Sequence, residues 1–337
     1  MASGGAFLLA LAGCGSSGGG QGADRGAVDL TTRTVFSFAV WGDTPYSPSE
    51  AAAVPRMVDQ INRPNVDFTV MVGDIIGGDR CDNKVYTAAR DTFDSFEAPL
   101  VYTPGDNEWT DCHPFAQDPI ERLSYVRRTM FSTARSFGAR ILALSQQRPD
   151  YPENARWRVG PVVFATLNVS GSNNNHIADT SLDEPATPRT TADREAAERE
   201  FQARDAADRD WLAQAFKEAK ATRAAAVVIV MQADPDFEVP AANRAGLFAD
   251  GYDRLLTALA AEATAFAKPV LIVHGDSHRL TIDHPLVHLA TGQAVPNVSR
   301  TESYGSPDVG WVKVTVDVTQ TEPFHSEPHL VESFRPS

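Results

Sequence analysis

Four hydrophobic runs in this chain end on the dipeptide Gly-Asp, and no other feature limits the fold so tightly. Residues 35–41 run into Gly42-Asp43, 68–72 into Gly73-Asp74, 100–104 into Gly105-Asp106, and 270–274 into Gly275-Asp276. Short runs rich in Val, Ile and Phe read as buried strands. In an open α/β sheet, ligands bind at the loops beyond the strand C-termini. Glycine lets the chain turn there, and the following aspartate is presented at the sheet edge. A single such aspartate is an ordinary helix N-cap. Four of them crowd negative charge together unless a cation sits among them, so the pattern predicts a polynuclear metal site.

Strand and helix signals alternate from about Thr34. Strands are expected at 34–43, 67–74 and 99–106, with helices at 49–62 (despite Pro55), 85–96 and 119–131. Residues 157–159 and 162–169 read as a hairpin turning at Gly160-Pro161. The stretch 191–220, rich in Ala, Glu, Arg and Asp, suits a long surface helix whose Trp211, Leu212 and Phe216 face the core. Buried strands follow at 225–231 and 270–274, with a helix at 252–267 between them. From Gly310 the Trp311, Val312, Val314, Val316 and Val318 pattern is strand-like. There is no solenoid-type repeat. The organisation is a leader-like segment (1–14), a tether (15–32), one catalytic-sized domain (33–320) and a tail or edge strand (321–337).

The formal net charge is −14, from 30 basic and 44 acidic residues. That argues against a nucleic-acid partner, whose affinity comes from clustered Lys and Arg. At the N-terminus a short apolar core is followed by Leu11-Ala12-Gly13-Cys14, which resembles the lipobox of bacterial lipoproteins, although no Lys or Arg precedes the run. The Gly- and Ser-rich residues 15–22 read as a flexible tether. The expectation is an exported periplasmic or cell-surface lipoprotein, touching the membrane only through a lipid on Cys14. The two remaining cysteines, Cys81 and Cys112, each lie a few residues beyond a Gly-Asp strand end. In an oxidising compartment a disulfide between them is expected, the alternative being two free thiols.

The order of the strand ends resembles the calcineurin-like metallophosphoesterase family. The segments that carry the resemblance are Gly42-Asp43-Thr44-Pro45, Gly73-Asp74, Gly105-Asp106-Asn107-Glu108, Met231-Gln232-Ala233-Asp234 and Gly275-Asp276-Ser277-His278. The resemblance implies a four-layer α/β/β/α sandwich with two central mixed sheets. It also implies two divalent ions and hydrolysis of a small phosphate mono- or diester by a metal-bound hydroxide. Carried over by position, one ion would see Asp43, Asp74 and His278, and the other Asp74, Asp106, Gln232 and Asp276.

Departures from the family pattern shape the chemistry. Pro45, Asp106, Gln232 and Asp276 stand where the family has other ligands, and Asn107 replaces the histidine that assists the leaving group. His113, beside Cys112, is the candidate replacement acid, with a solvent-exposed loop histidine as the alternative. The oxygen-rich donor set favours Mn²⁺, Mg²⁺ or Ca²⁺, with Fe or Zn²⁺ as alternatives. Glu108 is read as either a ligand or a loop brace, and His274 as packing. Residues 173–176 either line the cleft or form a polar turn, and Tyr46 and Trp109 either wall the pocket or pack. His284, His288, His325 and His329 carry no spacing that points to a site. The rival function is a non-catalytic metal-binding envelope lipoprotein on the same fold.

Overall fold

The computed structural model describes residues 26–63, 66–78, 81–177, 187–247 and 249–335. Cys14, the lipobox-like segment and the Gly/Ser-rich stretch lie outside them. The first half of the domain runs β1 (Val35–Trp41), α1 (Pro48–Asn62), β2 (Phe68–Met71), α2 (Asn83–Asp94), β3 (Leu100–Tyr102) and α3 (Pro119–Met130). The second begins with β4 (Ser145–Gln147), β5 (Tyr151–Val159) and β6 (Val162–Thr166), then the single turn α4 (Gly171–Asn174) and the long α5 (Thr191–Ala221). It continues through β7 (Ala226–Val230), α6 (Asp253–Phe266), β8 (Val270–His274), β9 (Thr281–Asp283) and β10 (Val298–Glu302). β11 (Asp308–Asp317) and β12 (Phe324–Ser333) complete it.

One sheet has the order β12-β11-β1-β2-β3, the other β4-β5-β6-β7-β8-β10-β9. β1, β2 and β3 are parallel, as are β6, β7, β8 and β10, while the outer strands run antiparallel. Both sheets are therefore mixed. Alternation along β1 sets the layers. Phe38 and Val40 point between the sheets, where they meet Phe68, Phe164 and Val228, while Ala39 and Trp41 point outward under α1 and α2. On the far side α5 and α6 cover β7 and β8. The result is the expected α/β/β/α sandwich.

Stacked and edge-to-face rings close the middle layer: Phe38 on Phe68 at 5.1 Å, Phe68 on Phe164 at 5.2 Å, and Trp157 on Phe164 at 5.1 Å. Truncating one such ring to alanine costs about 3–5 kcal/mol.

The helices begin where their caps require. Ser47 accepts the Glu50 N–H ahead of Pro48 in α1, and Thr190 forms a reciprocal capping box with Asp193 ahead of α5. Pro55 sits on the exposed side of α1, opposite the buried Ala53, Met57 and Ile61. Trp211, Leu212 and Phe216 of α5 are buried. Three strands, β4, β9 and β10, fall outside the sequence expectations, while β12 resolves the tail-or-edge-strand alternative at 321–337 as an edge strand. Among the described residues, no helix is long and apolar enough to cross a membrane.

Candidate metal centre

Parallel β1, β2 and β3 deliver Asp43, Asp74 and Asp106 to one edge, and β7 and β8 deliver Gln232 and Asp276 to the facing edge. The chain turns sharply there. Asp43 (φ 52°), Asp74 (φ 59°), Asp276 (φ 78°) and His278 (φ 60°) are all left-handed. Each such non-glycine residue costs of order 1–3 kcal/mol, a strain that persists only where the surroundings enforce it. A side chain at Gly105 would run into the Asp74 carboxylate, so glycine is required for the two loops to approach.

Asp43, Asp74 and His278 bring their ligand atoms within 4.8 Å of one another. Asp43 is fully buried. Its Oδ1 accepts the Asp276 N–H at 2.9 Å, while its Oδ2 has no hydrogen-bond partner. His278 Nδ1 lies 2.7 Å from the Ser306 carbonyl oxygen, which makes Nδ1 the protonated nitrogen and leaves the Nε2 lone pair 3.9 Å from Asp43 Oδ1. A buried aspartate with an unpartnered oxygen, converging with a second carboxylate and an imidazole lone pair, fits a divalent cation. Asp74 is held by hydrogen bonds to both oxygens: the Tyr46 hydroxyl donates to its Oδ2 at 2.6 Å and Asn107 Nδ2 at 3.1 Å, and the Asn107 N–H donates to Oδ1 at 3.2 Å.

Asp106, Gln232 and Asp276 also come together, but in a different sense from the ligand set that the resemblance implies. Gln232 turns its nitrogen to the cluster. Nε2 donates to Asp106 Oδ1 at 3.0 Å and to Asp276 Oδ1 at 3.1 Å, while Oε1 accepts the Gly171 N–H at 2.6 Å. An amide nitrogen is a donor and offers no lone pair to a metal.

No family model matches this sequence, and no curated protein matches it. Among solved structures, a dimetal phosphatase from Danio rerio superposes with a TM-score of 0.54 at 13% identity, over 89% of this chain and 98% of that one. PhoD gives 0.48 at 12% identity over 91% and 73%. The inner-membrane-complex anchor GAP50 of Plasmodium gives 0.46 at 11% over 89% and 90%. With the two mixed sheets and the strand-end carboxylates, the first of these decides the architecture. The chain has the calcineurin-like metallophosphoesterase fold.

Within the metallophosphoesterase fold, the acidic edge is electrostatically loaded. Burial raises the carboxyls of Asp43, Asp74 and Asp276 well above their usual range, and their mutual charges add to the effect. Burial, with the Asp111 charge beside it, pushes Asp106 up to about 8. A cation among them would reverse that cost. Burial first, and then the carboxylates of Asp74 and Asp43, hold the Tyr46 hydroxyl far above its ordinary value, so it stays protonated as a donor.

The two catalytic candidates, Asn107 and His113, are both hydrogen-bonded through their side chains. Asn107 spends its side-chain amide on Tyr46 (2.9 Å) and Asp74. His113 lies in a 3-10 turn (Thr110–Phe115) and bonds through Nε2 to the Thr187 carbonyl at 2.8 Å, in a recess shared with Ala116, Asp118 and Asp193. Cys112, beside it in that turn, is bonded to Cys81. Glu108 is a loop brace, and Trp109 packs under the buried Arg204.

Sequence reasoning missed Ser172 and Arg279. The Ser172 hydroxyl lies 3.0 Å from Asp106 and 2.7 Å from Asp111, with one proton to give to either, in the left-handed turn 172–175, which the fully buried Arg204 clamps through Asn174. Arg279 lines a recess of about 540 Å³ with Asp276, Ser277, Asp234 and Asp111. Its place directly after His278 was the one available signal. A larger, mainly apolar groove of about 1070 Å³ lies between α1 and α2, and the Tyr46 ring stands between it and the carboxylates.

Proposed function

We propose that this chain is a metal-dependent hydrolase of a phosphate mono- or diester, exported and tethered through Cys14. The observation that carries the proposal is the convergence of Asp43, whose buried Oδ2 has no hydrogen-bond partner, with Asp74 and the free Nε2 of His278, their ligand atoms within 4.8 Å of one another. These three residues would hold the ion, and the oxygen-rich surroundings favour Mn²⁺, Mg²⁺ or Ca²⁺. When bound, such an ion polarises a phosphoryl oxygen and lowers the pKa of an attacking water.

The chain's own residues do the rest. Tyr46 and Asn107 fix the rotamer of Asp74, and Ser306 fixes the tautomer of His278. Arg279, in the recess beside Asp276, offers a planar cation to the substrate phosphate. A carboxamide neither gives nor takes a proton near neutral pH, so Asn107 leaves an expelled alkoxide without an acid. The site is therefore suited to leaving groups that depart as stable anions. The Cys81–Cys112 bond supports an oxidising compartment, as export requires.

A binding role without turnover is the second reading, and the locked Asn107 amide is the observation in its favour. A panel of phosphomonoesters and diesters, run with metal-stripped and metal-reloaded protein, separates the two. Turnover that needs the metal and is lost in His278→Ala supports the hydrolase, whereas metal binding without turnover of any ester supports the binder.

A further inference from the structure

The geometry points to a centre that holds one divalent ion, with the Gln232 carboxamide standing where a second ion would have to bind. This rests on the metal reading above and makes it specific to this chain.

The lone pairs of Asp74 set the count. A carboxylate offers about four lone-pair directions. Oδ2 receives both the Tyr46 hydroxyl and Asn107 Nδ2, and Oδ1 receives the Asn107 N–H. One direction remains, enough for one ion and not for a bridge between two.

The carboxylates that would hold a second ion are each engaged through both oxygens, and the side chain between them presents a donor. Asp106 Oδ1 accepts from Gln232 and its Oδ2 faces the Ser172 hydroxyl, which it shares with Asp111, while Asp276 gives Oδ1 to Gln232 and Oδ2 to the Asp234 N–H at 2.9 Å. Gln232 cannot flip to offer its oxygen. The flip would set its NH₂ against the Gly171 N–H and its oxygen against two carboxylates, with the side chain fully buried and beyond the reach of screening water. Among the described residues, Asp43, Asp74 and His278 are the one group of three His, Cys, Asp or Glu side chains close enough to share an ion. The partial positive charge of an amide NH₂ thus stands in for a second cation between Asp106 and Asp276.

The test is the stoichiometry of Mn²⁺ on the metal-stripped full chain, by calorimetric titration and elemental analysis, with electron paramagnetic resonance on the loaded protein. The expected result is one ion per chain and the hyperfine pattern of an isolated Mn²⁺. Gln232→His, which exchanges the donor NH₂ for a potential ligand nitrogen, should raise the ratio to two and bring in exchange coupling. Two coupled ions in the wild-type protein would overturn the one-ion centre while leaving the metal reading intact. No bound ion at all would overturn both. Gln232→His that stays folded but still binds one ion would show that the carboxamide is not what excludes the second.

Discussion

Glu108, in the loop after β3, accepts the backbone N–H of Ile75, beyond β2, at 2.7 Å. The same carboxylate takes the N–H groups of Asp74 at 3.1 Å and Gly105 at 2.8 Å. One fully buried side chain thus ties two strand-end loops together and holds Asp74 in its left-handed conformation. Glu108→Ala would leave three buried donors unpaired at about 1–3 kcal/mol each. Urea unfolding should show a loss of about 3–5 kcal/mol, with a smaller loss for Glu108→Gln. Mn²⁺ affinity should fall in parallel.

An ion bound only by the folded state stabilises it by about 2.7 kcal/mol at a hundred times its dissociation constant. Adding Mn²⁺ to stripped wild-type protein should therefore raise the melting temperature. Asp43→Asn, Asp74→Asn and His278→Ala should abolish most of that rise. Asparagine is the cleaner replacement at the two aspartates because it tolerates the left-handed backbone that alanine resists. A wild-type protein whose melting temperature does not respond to Mn²⁺, Mg²⁺, Ca²⁺ or Zn²⁺ would contradict this.

The Cys81–Cys112 bond spans 31 residues and pins the loop after β2 to the 3-10 turn after β3. In the chain-entropy treatment, closing a loop of that length contributes about 3–4 kcal/mol. Reductant should lower the urea midpoint accordingly. Non-reduced peptide mapping of exported protein should recover the linked pair, and two freely alkylatable thiols would refute it. The same mapping reports whether Cys14 carries lipid.

Asp208 gives a pH dependence separate from the metal edge. Burial raises its carboxyl to about 8, despite Arg204 Nη1 at 3.7 Å, and the Glu153 charge adds to the rise. Arg204 spends all five N–H groups on Glu200, Asn168 and Asn174, so none reaches Asp208. A carboxyl whose folded pKa lies above its unfolded value near 3.9 binds its proton more tightly in the native state. Its contribution to stability is complete below about pH 4 and is lost as pH rises through about 8, by up to ~1.4 kcal/mol per pH unit. Unfolding measured between pH 5 and 9 should show this decline, and Asp208→Asn should flatten it.

The strand ends were legible because their Val, Ile and Phe runs are buried on both faces and stop at Gly-Asp. β10 was not. Its buried Arg300 and Glu302 look like loop residues until Asp283, Glu238 and Ser277 are brought to them by the fold. β12, with His325, Glu327 and Pro328, reads as polar because it is an edge strand with an exposed face. Asp43, Asp74 and His278 could be anticipated from their strand ends. The orientation of Gln232 could not, because it is set by a hydrogen bond from Gly171, 61 residues earlier. The position of His113 depends in the same way on the disulfide-anchored turn.

Asn107 predicts a leaving-group preference. Absence of general-acid help costs typically 10²–10⁴-fold, about 3–5 kcal/mol, and the cost falls on poor leaving groups. Aryl phosphates should be hydrolysed far faster than alkyl phosphates, and Asn107→His should narrow the gap by accelerating the alkyl series. Equal rates with chemistry limiting would mean that another acid serves the site.

The most direct test of the account is the hydrolysis of one activated aryl phosphate by the full chain, measured after metal stripping and again after reloading with Mn²⁺. Turnover should be absent when stripped, recover on reloading, and fail to recover in His278→Ala. Turnover that is indifferent to metal, or none with Mn²⁺, Mg²⁺, Ca²⁺, Fe²⁺ or Zn²⁺ supplied, would contradict it.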